Sequence, residues 1–216
     1  MLHHHTHESP AQTEGRLIRW ASSYDFLTNL LTLGQTNRLR QMTIDQALLK
    51  PGEAILDVGC GTGGVTIPAR QRVGAAGKAA GIDPSPEMIA VAQQKARRKG
   101  LNIDFRIGVI EALPYPDASF DVVTSSLMMH HLPANLKVKG LAEIYRVLKP
   151  DGRLLIADIS SPKSSTSQRI FTSLALHRGL RFGVEDFREP IKGAGFQDIT
   201  GLEQRFFIIG FVRAIK

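Results

Sequence analysis

Apolar residues fall in short runs separated by stretches of helical period. Ala54–Val58 (Ala-Ile-Leu-Asp-Val) is apolar except for Asp57 and lies between Pro51-Gly52 and the glycines 59, 61, 63 and 64. A run of that length bounded by turn residues predicts a buried strand of a parallel sheet. Further strands are predicted over 79–82, 102–107, 120–125, 153–158, 197–200 and 206–214. Between them, helical patterns cover 62–73, 86–99 (Ser85 as cap, Pro86 at the first position), 136–148, 169–180 and 184–194. Two more helices, 17–33 and 37–49, precede the first strand. The earlier one repeats Leu17, Trp20, Tyr24, Leu27 and Leu31 on one face.

This alternation predicts an α/β fold: a Rossmann-like, seven-stranded, mostly parallel sheet with helices on both faces. The last two predicted strands have no helix between them, so the last strand is expected to be antiparallel. Residues 1–12 read as a disordered tail and 13–216 as a single domain. Within it, 13–50 form a helical cap and the Ser-rich start of 160–190 marks a substrate lid.

Composition narrows the class. The chain has 216 residues, 43% apolar and 22% charged, which is ordinary for one globular domain. No apolar run approaches the ~18 residues of a membrane span, and the N-terminus lacks the apolar core of a signal peptide. A cytoplasmic location is the expectation. The net charge of +7 permits anionic partners. The basic residues are scattered, however, and the densest run, 95–99, ends a predicted helix, where cations favour the helix dipole. Nucleic acid is therefore not an expected partner. The single Cys60 leaves no internal disulfide or cysteine cluster, and no metal site is expected. Monomer and homodimer are both open.

The chemistry centres on the glycine loop. Gly59, Gly61 and Gly64 satisfy G-x-G-x-x-G, with Asp83 at about the ~20-residue distance of a ribose-binding acid. Asp57 sits badly beside a pyrophosphate but suits an ammonium group. S-adenosylmethionine carries an ammonium, a sulfonium and a ribose diol, and no phosphate. It fits two carboxylates and a close backbone better than a nicotinamide dinucleotide does. Cys60 is a small residue inside this loop. Pro84 follows Asp83, and Met88, one turn on, reads as core within reach of an adenine.

Four segments resemble class I S-adenosylmethionine-dependent methyltransferases, in the right order: Leu56-Asp-Val-Gly-Cys-Gly-Thr-Gly63, Gly81-Ile-Asp-Pro-Ser85, Glu111-Ala-Leu-Pro-Tyr-Pro-Asp-Ala-Ser-Phe-Asp121 and Arg146-Val-Leu-Lys-Pro-Asp-Gly152. Within that superfamily the chain is most similar to the ubiquinone/menaquinone-biosynthesis type. The resemblance implies that Gly59, Gly61 and Gly63 line the methionine and ribose, with Thr62 at the helix start. It also implies that Asp83 holds the ribose, that Val109 and Ile110 flank the adenine, and that Ser126 lies near the methionine. Many relatives have Asp where this chain has Val109. The quinone enzymes carry His and Trp where it has Gln35-Thr36-Asn37-Arg38-Leu39, and Glu-Phe-Ser where it has Asp158-Ile159-Ser160.

His130 and His131 follow the fourth strand, where open α/β sheets place their ligands. Histidine has a suitable pKa for a general base, and both are candidates. Tyr24 and Asp158 are candidate substrate contacts. Phe171, Leu174, Phe182 and Phe187 make the lid region apolar, which points to a small apolar or aromatic methyl acceptor. The alternatives are a non-catalytic S-adenosylmethionine-binding module and a nicotinamide-dependent oxidoreductase.

Overall fold

The computed structural model describes residues 34–160, 184–206 and 209–216. The expected tail, the helices over 17–33 and 169–180, Tyr24 and most of the lid lie outside the described residues.

Seven strands form one sheet in the order β3-β2-β1-β4-β5-β7-β6. They are β1 (Ala54–Val58), β2 (Lys78–Asp83), β3 (Asp104–Ile107), β4 (Phe120–Ser126), β5 (Leu148–Ile159), β6 (Gln197–Phe206) and β7 (Ile209–Ile215). The pairs among β1 to β5 are parallel. β7 runs antiparallel to both β5 and β6, so the antiparallel last strand lies inside the sheet and β6 forms its edge. The helices are α1 (Thr36–Gln46), α2 (Thr66–Val73), α3 (Pro86–Arg98), α4 (Ala134–Val147) and α5 (Arg188–Gly193).

Strand alternation divides the core. Ile55, Ala79, Val122 and Leu155 face α1 and α2, where Leu39, Ile44, Ala69 and Val73 meet them. Leu56, Ala80, Val123 and Ile156 face the other way, toward Leu141, Ile144 and Val147 of α4 and Ile191 of α5. Single strands that bury both faces explain the near-continuous apolar runs.

Several boundaries differ from the sequence reading: among them, the sixth strand runs on from 200 to Phe206, the residue expected to open the last strand. The second helix begins at Thr66, not at 62. Gly59, Gly61 and Gly63 have φ of +73°, +51° and +79°, so the chain cannot enter a right-handed helix before they are passed. The third strand begins at Asp104, two residues late. The fifth starts at Leu148, because Pro150-Asp151-Gly152 is an irregularity within the strand rather than a stop. Leu148 pairs with Phe120, and the next partners are Arg153 and Val122. The region 184–194 forms a 3-10 turn (Val184–Phe187) followed by the short α5.

Arg153 ties α1 to this sheet. Its guanidinium donates to the carbonyls of Ala47 and Leu48 at 2.7 and 2.6 Å, just past the end of α1, and to both oxygens of Glu53 at 2.9 and 2.6 Å. The carbonyls of a helix end need donors, and the bidentate carboxylate contact fixes the guanidinium plane.

Candidate active site

The strand order reverses direction between β1 and β4, and the carboxyl ends of strands at such a switch point are where ligands bind. Two clefts open there. The first, about 750 Å³, is lined by Asp83, Pro84, Met88, Val109, Ile110 and Glu111 on one side and by Ser126 to Met128, His131 and Leu132 on the other. The second, about 500 Å³, is lined by Asp57, Cys60, Thr62, Gly64 and, from α1, Thr36, Leu39 and Arg40. Gly59, Gly61, Ser126 and Leu127 line both. One ligand can therefore run from one cleft into the other across the glycine loop.

The loop uses its amides internally. Gly59 and Cys60 donate to the Ile82 carbonyl at 2.8 and 3.0 Å, and Gly63 donates to Cys60 at 2.9 Å. Gly61 donates to Asp83 Oδ2 at 2.9 Å. A pyrophosphate site needs such amides pointing at the ligand. Here four of them are committed, and carboxylates stand at the ends of both β1 and β2. The arrangement disfavours a dinucleotide and fits a cofactor without phosphate. A Cβ at Gly59 would overlap Cγ of Met128, so glycine is required for the β4 loop to close over it. Thr62 is buried, and its hydroxyl accepts from Lys95 Nζ at 2.9 Å, which pins the loop to α3.

Asp83 also accepts from the Ser85 amide at 2.9 Å. Each of its oxygens thus has one backbone donor and spare accepting capacity toward the cleft. Burial pushes its carboxyl above the usual carboxylate range, opposed by these two hydrogen bonds. Asp57 is 2% exposed. It accepts from the hydroxyls of Thr66 at 2.6 Å and Thr124 at 2.9 Å. Burial raises its pKa to about 6 despite those bonds. The Cys60 thiol is pushed well up by burial, with the Asp57 and Asp83 charges adding to the effect, so it is no nucleophile.

Most of the expected residues therefore gather at the two clefts. Gly63 does not: its α-carbon sits against Ile67, Phe105 and Ala92 and serves the packing of α3. Asp158 is also placed differently. It is 1% exposed and lies behind His130, whose Nδ1 is 2.6 Å from Asp158 Oδ1 and whose amide donates to Oδ2 at 3.0 Å. An ionised carboxylate only accepts, so Nδ1 carries the hydrogen. Of the two histidines, His131 lines the first cleft. The His130 ring packs on it with centroids 3.8 Å apart. Carboxylate, imidazole and imidazole thus run in series toward the cleft.

Sequence reasoning missed Arg40, Glu111 and Met128. Arg40 and Met128 belong to no motif, and only the sheet order shows that α1 and the β4 loop meet. Two of the segments that carried the resemblance are tied to each other by hydrogen bonds, although Glu111 at the start of one lines the first cleft. Arg146 donates to the carbonyls of Leu113 and Tyr115 at 3.0 and 2.8 Å and to Asp117 at 2.7 Å. Its partner Glu143 accepts from the Leu113 amide at 2.8 Å. The Leu-Pro-Tyr-Pro-Asp segment is thereby held to α4.

Residues 55–152 match the Methyltransferase domain family, and the described fold is that of a class I S-adenosylmethionine-dependent methyltransferase, with S-adenosylmethionine as the cofactor of the class. The chain is similar to a demethylmenaquinone methyltransferase of Lactobacillus johnsonii, 39% identical over 67% of this chain and 59% of that protein. It is likewise similar to the ubiquinone/menaquinone biosynthesis C-methyltransferase UbiE of Escherichia fergusonii, 33% identical over 76% of this chain and 65% of that one. The chain thus spans about three fifths of the length of the curated relatives it matches. Among solved structures, an S-adenosylmethionine-dependent methyltransferase of Aquifex aeolicus aligns with a TM-score of 0.71 at 23% identity, over 90% of this chain and 97% of that one. No helix among the described residues is long and apolar enough to cross a membrane.

Proposed function

We propose that the protein is an S-adenosylmethionine-dependent methyltransferase acting on a small apolar aromatic molecule, with demethylated quinols the first acceptors to test. The observation that carries the reading is the pair of clefts joined across Gly59 and Gly61. It offers one carboxylate at each strand end, a glycine loop with four amides turned to internal partners, and a histidine on the wall. In this reading Asp83 accepts from the ribose hydroxyls. Pro84, Met88, Val109 and Ile110 enclose the adenine, and Asp57 faces the ammonium group. Acceptor class comes from the names of the two relatives, and the apolar character of 171–187 agrees with it.

Bound S-adenosylmethionine supplies a methyl group on a positively charged sulfur that leaves as a neutral thioether. The chain's work is to align the acceptor, exclude water and move a proton. A phenolic acceptor becomes nucleophilic at oxygen or ring carbon once its hydroxyl is deprotonated. His131 is placed to take that proton, because it is on the cleft wall. His130 is a positioning residue, fixed by Asp158 at Nδ1, and its ring packs at a 44° tilt against that of His131.

The test is turnover. Purified protein is incubated with labelled S-adenosylmethionine and a panel of hydroquinones and phenols, and S-adenosylhomocysteine is measured. Methylation of an apolar aromatic is expected, and His131→Asn should lower kcat about 100-fold or more, the usual worth of a general base. Cofactor binding with no turnover over the panel would favour a binding module. Turnover unchanged in His131→Asn would remove the base from its assigned place.

A further inference from the structure

The two clefts meet at a seam, with Gly59 and Gly61 on the β1 side and Ser126 and Leu127 on the β4 side. The chain leaves β4 there by a costly turn. Leu127 has φ of +55°, a left-handed conformation that a residue with a Cβ adopts only where its surroundings hold it. Its amide donates to the Ala157 carbonyl of β5 at 2.8 Å, which ties the turn to the sheet. The turn lays the Met128 side chain on the glycine loop. A Cβ built on Gly59 would be 2.4 Å from Met128 Cγ, 2.8 Å from Cβ and 3.4 Å from Cε. The Met128 carbonyl accepts from the His131 amide at 3.0 Å. One residue thus joins the glycine loop to the histidine wall.

In the reading above the ribose sits at Asp83 and the ammonium at Asp57. The sulfur lies between these groups in the covalent structure of the cofactor, so it falls at the seam. The acceptor atom must come in line with the bond that breaks: it takes the methyl carbon, and the carbon–sulfur pair returns to sulfur. The walls of that approach are the seam side chains long enough to border it. Gly59 and Gly61 have none and Ser126 has a short one, which leaves Leu127 and its neighbour Met128. Leu127 packs against the core on the α1 and α2 side of the sheet, and Met128 against the core on the α4 side. Met128 and His131 line the first cleft together. An unbranched thioether suits a flat ring, because sulfur makes favourable contacts with aromatic faces and edges and the side chain adapts its shape.

We propose that Met128 is a specificity-determining residue of the acceptor site: resting on Gly59, it forms the wall between the glycine loop and His131 against which the acceptor ring packs, and its bulk limits the substituent that ring can carry beside the reacting position. This rests on the S-adenosylmethionine reading above and adds the steric class of the acceptor to it.

The experiment compares methylhydroquinone with tert-butylhydroquinone. Each is titrated calorimetrically, without air, into protein saturated with S-adenosylhomocysteine, so that changes in cofactor affinity are removed. Turnover with S-adenosylmethionine is measured in parallel. Wild type should favour the methyl compound at least about tenfold in both affinity and kcat/KM, the usual discrimination of an apolar pocket for extra carbons. Met128→Ala should bring the preference below about threefold by gaining on the tert-butyl compound, since the wall is then cut back. Met128→Val should fall between, and Met128→Leu, which keeps the volume, should retain the preference. A preference unchanged in Met128→Ala and Met128→Val, an equal loss for both hydroquinones, or loaded protein that binds neither would overturn the assignment and leave the cofactor reading in place. A wild type that does not bind S-adenosylhomocysteine would overturn the cofactor reading itself, and the assignment with it.

Discussion

The first cleft takes its wall from the ends of β2 and β3 and the residues that follow them: two carboxylates, Asp83 and Glu111, among the apolar Pro84, Met88, Val109 and Ile110. The second is built from the glycine loop and α1 and sets the charged Asp57 and Arg40 among small residues. They also differ in how their carboxylates are held. Asp83 is fixed by two backbone amides, and its spare lone pairs face an opening. Asp57 is sealed under two threonine hydroxyls, and its charge is costly to keep. The first cleft is organised for shape and two neutral hydroxyls. The second is organised for charge, at the cost of burying the Asp57 carboxylate.

The largest effect should come from Asp83→Ala. The change removes the acceptor for two ribose hydroxyls and frees the Gly61 amide that both clefts share. Hydrogen bonds to a charged group contribute about 1.5–3 kcal/mol each, so affinity for S-adenosylhomocysteine should fall about 100-fold. Because the ribose is common to both ligands, methylthioadenosine, which lacks the amino-acid end, should lose as much. Calorimetry on both decides it. A loss confined to S-adenosylhomocysteine would mean that the two clefts have been assigned the wrong way round.

Asp57→Asn should separate the clefts. Its pKa of about 6, against 3.8 for an unburied carboxyl, means that the folded protein holds this proton more tightly than the unfolded chain does. The stability it contributes is complete below pH 3.8 and is lost as the pH rises through about 6, an amount of about 3 kcal/mol. The amide variant stays neutral and can still bond both threonines. It should be more stable than wild type at pH 7 and equal to it near pH 4, by denaturant titration at each pH. Binding should move oppositely. S-adenosylhomocysteine affinity should fall about tenfold at pH 7, as for one lost charged contact. In wild type it should rise between pH 5 and 7 as Asp57 ionises. Methylthioadenosine should show neither change. A variant less stable at pH 7 would mean that the charge is not a burden.

What the sequence could reveal follows the same division. The first cleft was legible because its residues sit directly after strands, at fixed offsets from Asp83 and Gly108. A strand followed by a turn points its next side chains into the switch point. Ser126 was legible for the same reason after β4. Asp57 was legible as an acid in an otherwise apolar strand. Arg40 was not, because its place in the second cleft depends on how α1 packs against the sheet, which no local pattern around it encodes. Asp158 was read as a substrate contact because it ends β5. Strand alternation does place it at the right edge, but only the turn at Met129–His131 shows that His130 covers it. The helix boundary at 62 failed because apolar period cannot register three glycines of positive φ.

The smallest effect tests whether the first cleft is complete without a charged contact to the adenine. The resemblance to class I methyltransferases implies that many relatives carry Asp where this chain has Val109, with the carboxylate accepting from the adenine amino group. Val109 is half-buried in the cleft wall. Glu111, two residues on, lines the same cleft, so a second acid at 109 meets a like charge nearby and part of any gain is lost. Val109→Asp should therefore tighten S-adenosylhomocysteine and methylthioadenosine together by a few-fold at most, against the roughly tenfold that an isolated hydrogen bond to a charge can give. Adding Glu111→Gln should release the remainder. Equal gains with and without the second change would place Glu111 too far away to matter. A loss in Val109→Asp that Glu111→Gln does not reverse would show that the adenine is held by apolar enclosure alone, and that the contrast between the clefts is sharper than their carboxylates indicate.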